Sequence, residues 1–582
     1  LSPHEDRERL ERELAEAGEA IAYLRSAAAP QSAGSGAPGA RSERAGGGRA
    51  APGAAIRIHF SRIQNIAPAV EKLRIEGSIL EPREIAELTG FLDCASDARS
   101  ILNAAGERFP RLAARARSIA EFGHLLQELE GKLLPDGAVA DRASAALARL
   151  RRDIEKQKRS IQESLERFLR ANPDAVQEEF VTIRGERFVV PVVAGRERKI
   201  QGVVHGSSSS GRTLFLEPLE TIDLNNELVR LSEEELREVA RILLEISDRL
   251  RGYGEAIEAA VAVMGALELV FAKARFALDF DCAIPRFTPA GAPRLRLLAA
   301  RHPLLEDVLK KSGRRIVPIS LELDRGFGTL LISGPNTGGK TVALKTAGLL
   351  SLMAQSGLPV PCREAEFPVF EQILADIGDH QSIEQSLSTF SAHMSRIREM
   401  ALEVTPGSLV LLDEVGAATD PEEGGALGVA IVDHFRAAGA FTIASTHLLA
   451  LKMYGASTDS VINGSMGFDE QTLEPTYELR TGLPGKSAGL DIAARLGMPE
   501  DIMKRARASL SRRDQDVARF LAELNRRSEE LERLERELRG RQAQLEERER
   551  RLAKEWEQRE SAKLRELERR LEAVLQRFEA RA

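Results

Sequence analysis

Residues 331–345, LISGPNTGGKTVALK, run from an apolar strand end through a glycine-rich turn into a helical pattern that opens on lysine. The pattern inside it is Gly334-x-x-x-x-Gly339-Lys340-Thr341, preceded by GTLLIS and followed by VALKTAGLLSLMA. Strand, loop and helix in that order are the context a phosphate-binding loop requires. Glycines let backbone N–H groups face an anion, and the helix N-terminus adds partial positive charge. Lys340 is placed to neutralise β- and γ-phosphate oxygens. Thr341 is the expected Mg2+ ligand. Around this stretch, from about 296 to 500, strand and helix patterns alternate, which predicts a mostly parallel sheet covered by helices.

A second element is SLVLLDEVG, 408–416, an apolar run ending in Asp413, 73 residues beyond Lys340, and Glu414. Alone, an acidic pair at a strand end reads as a turn or helix start. Following a phosphate loop, it suits a site in which Asp413 holds the metal shell and Glu414 orients the attacking water. Between the two lies DIGDHQSIEQSLSTFSAHM, 376–394, where Ser388 and Thr389 stand at a helix start, either as a simple N-cap or as an anion contact. Further on, FTIASTHLLALK, 441–452, is a strand ending at Thr446 and His447. His447 reads equally as a packing residue or as a γ-phosphate sensor.

The 582 residues are long enough for two to four domains. With 82 basic against 89 acidic residues the formal net charge is −7, so a polyanionic partner has to be met by a local basic face. Three distant cysteines, Cys94, Cys282 and Cys362, give neither a disulfide framework nor zinc spacing, and a reducing cytoplasm is expected. No apolar run reaches membrane-spanning length, and the charged start LSPHEDRERLERELAEAGEA is no signal peptide. The opening Leu in place of Met suggests a trimmed start. Residues 1–26 read as a helix, and 27–55, rich in Ala, Gly, Ser and Pro, as a flexible linker. Helical periodicity covers 56–175, short β-branched runs cover 176–217, and helices return over 218–295. From 511 to 582 a leucine recurs every seven residues, Leu524 through Leu552, which predicts a coiled coil. The phase slips after Trp556, where a bend or break is expected.

GPNTGGKT, STFSAHM, LLDEVGAATDPEEGGALGVAI and STH, in this order and spacing, resemble the ATPase domain of the MutS family, a branch of the ABC-type ATPases. DEVGAATDPEEG, together with GVVHGSSSSGRTLFLEP and NNEL upstream, resembles the second bacterial type, the MutS-two paralogue, over roughly residues 56–560. The resemblance implies that Gly334, Pro335, Asn336, Thr337, Gly338, Gly339, Lys340 and Thr341 hold ATP and Mg2+. It implies that Asp413 and Glu414 serve metal and water, and that His447 senses the γ-phosphate. Ser388 and Thr389 become a signature reaching the nucleotide of a second subunit, so that a homodimer carries two composite sites.

The fold implied is mixed: a long helical lever (56–175 and 218–295) with a small β clamp (176–217), an α/β P-loop ABC-type ATPase domain (296–510) and a C-terminal coiled coil (511–582). Arg184, Arg187, Arg196, Arg198, Lys199 and Arg212 in the clamp are candidate phosphate contacts. The short lead before the lever leaves no room for the aromatic-and-glutamate module of the mismatch-repair type, so mispair reading is not expected. The basic β module and the small nuclease domain usual for this type are not expected within these residues, so no endonuclease activity is expected from them. The function implied is an ATP-driven dimeric clamp on branched or recombination-intermediate DNA that suppresses recombination. The alternative is a sensor of collided ribosomes that grips rRNA and splits stalled subunits. A condensin-type ATPase is disfavoured because Lys340 and Asp413 lie close together with the long helices ahead of both.

Overall fold

Three strands of five or six residues, β8 (Thr329–Ser333), β11 (Ser408–Leu412) and β12 (Phe441–Thr446), are buried along their whole length. Continuous apolar runs of this kind belong to parallel strands covered on both faces. They form the centre of a six-stranded sheet in the order β10-β11-β12-β8-β13-β14, with β10 at Gln372–Asp376, β13 at Val461–Phe468 and β14 at Pro475–Thr481. All neighbours are parallel except the edge strand β14, which pairs antiparallel with β13. In this computed structural model the described residues are 2–28, 65–134, 137–173, 176, 180–196, 200–209, 211–378, 389–417, 419–468, 475–482, 493–494, 497–509 and 512–579.

The chain divides into two units, Leu1–Leu14 with Phe276–Ala582, and Ala15–Arg275. In the first, helix α10 (Lys340–Gln355) covers one face of the large sheet. Its Leu344, Ala347 and Leu350 pack with Leu330 and Ile332 of β8 and with Leu409, Leu411 and Ile443. The same core takes in a second sheet, β5-β9-β6-β7 (β5 Arg286–Phe287, β6 Arg294–Ala300, β7 Ile319–Asp324, β9 Glu364–Phe367). Leu10 and Leu14 of α1 (Arg7–Ala28) complete it. On the other face, α11 (Thr389–Glu403), α12 (Pro421–Ala437) and α13 (Leu449–Ser457) contribute Met400, Val432, Phe435 and Leu451. The end of the chain forms α14 (Glu500–Ala508) and α15 (Arg512–Glu579). The break expected after Trp556 is absent from the described helix, which runs unbroken for 68 residues. A slip of heptad phase moves the apolar seam around a helix without interrupting its backbone bonds.

The second unit joins helices to a four-stranded antiparallel sheet in the order β1-β2-β4-β3 (β1 Thr182–Arg184, β2 Arg187–Val193, β3 Gly202–Ser207, β4 Thr213–Pro218). Helices α2 (Ala67–Leu73), α3 (Pro82–Ala104), α4 (Pro110–Arg117) and α5 (Gly123–Leu129) precede it. The long helix α6 (Ala145–Ala171) starts where the Ser144 hydroxyl accepts the Leu147 N–H at 3.0 Å, a side-chain N-cap. Its Leu147, Ile154, Ile161, Leu165 and Phe168, spaced by three, four or seven residues, form the buried stripe. The return helices are α7 (Leu219–Arg251) and α8 (Gly254–Asp279). Of the stretch 27–55, only Ala27 and Ala28 lie among the described residues, at the end of α1. Among the described residues no helix is long and apolar enough to cross a membrane.

Candidate functional site

The loop after β8 turns on two glycines that sit where other residues are strained. Gly334 has φ +137° and Gly339 φ +96°, and a Cβ on Gly334 would lie 3.3 Å from the Met466 Cβ. Gly339 is the N-cap of α10 and offers no side-chain cap, so the first-turn N–H groups of a 16-residue helix are left to an anion. Lys340 is 2% exposed, and its Nζ donates to the Gly334 carbonyl at 2.7 Å. Burial pushes its ammonium below the usual lysine range, while the charges of Glu414 and Asp413 pull the other way.

The parallel pairing of β11 and β12 with β8 brings the two sequence motifs together. The Thr341 hydroxyl donates to Asp413 Oδ2 at 2.7 Å, and the Ser445 hydroxyl donates to Asp413 Oδ1 at 2.5 Å. Ser445 Oγ in turn accepts the Glu414 N–H at 2.9 Å. Asp413 thus receives only neutral donors, and among the described residues no cationic side chain lies within ion-pair distance. The Glu414 carboxylate has no hydrogen-bond partner among the described residues, and its backbone is held at φ +50°, an uncommon conformation for a side-chain-bearing residue.

The turn that follows is closed by two more glycines. A Cβ on Gly416 would fall 2.2 Å from the Gly424 carbonyl oxygen, and one on Gly424 2.1 Å from that of Gly416. Asp420 caps α12 by accepting the N–H groups of Glu422 and Glu423. His447 is exposed just beyond β12. Ser388 lies outside the described residues, and Thr389 is the first residue of α11. That helix is tied to the end of β10 by His393, whose Nδ1 lies 2.7 Å from Asp376 Oδ2.

Sequence reading missed Ser445, which links the two acidic residues. It also missed Lys452, a 3% exposed lysine on α13 held down at about 8 by burial and by the charge of Lys340. Ser445 stands in β12 between Thr442 and Thr446, two other small hydroxyl residues, so nothing in the strand's own sequence singled it out. A cavity of about 440 Å3 opens beside the loop, between His302, Arg314–Val317 and Leu309 on one side and Gly339, Thr341, Met466 and Tyr477 on the other. Its mixed apolar and cationic lining, against the backbone of the phosphate loop, fits the base and sugar of a nucleotide. A larger cavity of about 760 Å3, lined by Thr329 and Phe441, lies at the opposite ends of the strands. Open parallel sheets bind ligands at the carboxyl ends, where the loop is, so the smaller cavity is the chemically relevant one.

These residues fit a magnesium nucleotide. The uncapped helix start and glycine turn suit phosphates, and the Thr341 hydroxyl and Asp413 carboxylate already meet where a hard cation takes oxygen ligands.

Residues 330–513 match the family described as MutS domain V. The chain is 43% identical over 439 residues to the endonuclease MutS2 of Pelotomaculum thermopropionicum, covering 75% of this chain and 55% of that protein. It is 41% identical over 445 residues to that of Finegoldia magna, covering 76% of this chain and 56% of that protein. It is 42% identical over 464 residues to that of Thermomicrobium roseum, covering 78% and 57%. The chain therefore spans a little over half the length of the curated relatives it matches. Identity at this level, extending far beyond the phosphate-loop domain, places the chain in the MutS family as a MutS2-like member.

Proposed function

We propose that the chain is an ATPase working as a homodimer, and that nucleotide-dependent closure of its paired sites drives a clamp on branched or recombination-intermediate DNA. The observation that carries this reading is the hydrogen-bonded chain Thr341–Asp413–Ser445–Glu414, beside a buried Lys340. Bound Mg2+ supplies positive charge against the phosphate oxygens. Thr341 and Asp413 would hold it, and the backbone N–H groups of the loop from Gly334 to Thr341, with Lys340, would hold the triphosphate. Glu414, whose carboxylate has no partner among the described residues, would orient the attacking water, and His447 would sense the γ-phosphate. Ser388 and Thr389 of one copy would complete the site of the other.

The helices of 56–175 and 218–295 act in this reading as levers, the strands of 176–217 as the clamp, and 511–582 as a coiled coil. Leu538, Leu545 and Leu552 on α15 remain 50–59% exposed, which supports pairing of that helix with a second copy. Substituting Glu414→Gln is expected to lower ATP turnover at least about tenfold, ~1.4 kcal/mol of barrier, with nucleotide affinity retained. Unchanged turnover rejects the assignment. A mixture of Lys340→Ala and Ser388→Ala chains should regain one of two composite sites, and no regained activity counts against sharing. Binding of the Glu414→Gln protein with ATP to four-way DNA junctions should exceed binding to stalled disomes. The reverse preference replaces DNA by the ribosome.

A further inference from the structure

Asp376 is the last residue of β10, 2% exposed, and it makes contacts in two directions. Its backbone carbonyl accepts the Asp413 N–H at 2.9 Å, one step past the pairing of Asp376 with Leu412 between β10 and β11. Its carboxylate crosses to α11, where Oδ2 lies 2.7 Å from His393 Nδ1. An acid this deeply buried needs a hydrogen-bonded partner. Facing a carboxylate, the imidazole carries its hydrogen on Nδ1 and donates.

His393 stands four residues beyond Thr389, the first residue of α11, so the two share a helical face one turn apart. A run of contacts therefore joins the phosphate loop to the start of α11. Thr341 meets Asp413 through its hydroxyl, Asp413 meets Asp376 through the backbone, and Asp376 meets His393 through the side chains. A second tie between α11 and β10 is weaker. Arg396 Nε points to the Ala375 carbonyl at 3.5 Å, from an exposed side chain that also meets Glu399.

We infer that Asp376 and His393 are positioning residues for ATP hydrolysis, setting where the start of α11 meets the nucleotide of a second copy. The inference rests on the shared-site reading of Ser388 and Thr389. A hydrogen bond is directional, so its loss frees α11 to turn or slide against the sheet. A group misplaced by about 1 Å at a reacting centre costs on the order of a hundredfold in rate. The loop from Gly334 to Thr341 in the same chain makes no contact with His393 among those described, so its own grip on nucleotide is retained. The damage from losing His393 therefore falls on the other copy's site, and on turnover rather than affinity.

The test is steady-state ATP turnover of the full chain, for single variants and for mixed dimers isolated through a different affinity tag on each copy. His393→Ala should lower kcat at least about tenfold, with KM for ATP changed less than about twofold. His393→Asn, whose amide nitrogen takes the place of Nδ1, should recover most of the loss. His393→Gln, whose amide nitrogen takes the place of Nε2, should not, and Arg396→Gln should stay near the wild type. A mixed dimer of His393→Ala with Lys340→Ala should regain turnover, because the intact loop of one copy meets the intact α11 of the other. His393→Ala with Ser388→Ala should regain none, because neither copy then offers an intact signature.

Two failures read differently. If Lys340→Ala and Ser388→Ala form no mixed dimer, or regain nothing in one, the shared-site reading falls and takes the inference with it. If they do regain turnover, a gain of His393→Ala with Ser388→Ala, or none with Lys340→Ala, overturns the inference alone. Unchanged kcat in His393→Ala, an equal loss in Arg396→Gln, or no recovery in His393→Asn also overturns it. Melting temperature reports folding; should His393→Ala fail to fold, His393→Gln carries the same comparisons.

Discussion

Asp413 and Glu217 are both carboxylates at the ends of strands, and they are compensated in opposite ways. Glu217, 1% exposed, is surrounded by its own structure: Arg187 at 2.9 and 3.1 Å, His205 Nε2 at 2.6 Å and the Asn225 amide at 2.8 Å. Asp413 is met by two hydroxyls and by no cation among the described residues. The first arrangement closes a charge inside the fold, and its product is rigidity. The second leaves a carboxylate that no side chain ion-pairs among the described residues, with only the longer-range charge of Lys340 to offset it, at the carboxyl end of a parallel sheet where a bound cation would complete it. A charged residue in a sequence therefore means little until its partner is known.

The comparison breaks most visibly at Glu217. Replacing Glu217→Leu strands Arg187 and the Asn225 amide, and a chemical melt should show a loss of about 3 kcal/mol or more with ATP turnover unchanged. A loss of turnover without a change in melting would reverse the roles of the two regions. Lys452 comes next. Its folded value near 8 lies below the ordinary 10.5, so between those values the unfolded chain holds a proton that the folded chain has released. Stability should therefore rise as pH rises through that window, by about 3 kcal/mol, and Lys452→Met should abolish the rise in denaturant titrations at pH 8 and above.

Gly416→Ala forces a Cβ against the Gly424 carbonyl at φ +79° and should cost about 2 kcal/mol, read as a lowered denaturation midpoint. Ser445→Ala removes one donor from Asp413 and the acceptor of the Glu414 N–H. Turnover should fall about tenfold, ~1.4 kcal/mol, with the change in kcat rather than KM. The smallest effect belongs to Arg230, whose partners Glu227 and Glu234 lie on its own exposed helix face. Arg230→Gln should leave the melting temperature unchanged, as exposed pairs on a helix contribute little.

Local motifs were the legible part of the site. Gly334 to Thr341 and Asp413–Glu414 are each encoded within a few residues, because a tight turn and a buried strand need particular side chains at particular steps. Ser445 was not legible, since its importance arises from β12 lying between β11 and β8, an order no neighbouring residue announces. Arg187 was read as a phosphate contact and instead turns to Glu217, a residue 30 positions away brought within reach of its side chain by the pairing of β2 with β4. Leu10 and Leu14 were read as part of a separate helix, yet they pack among residues nearly three hundred or more positions later, beyond the reach of periodicity. The heptads of α15 were legible as a pattern, but the pattern's slip said nothing about the continuity of the backbone.

The Ser445 hydroxyl touches one acidic residue through its side chain and the next through its backbone, from a strand that runs on towards His447. Displacing β12 by a fraction of an ångström would retune both contacts in the same stroke. In the ATPase we propose, a push arriving along that strand would be felt as a change in reaction rate, and a change in the nucleotide would be returned along it as force.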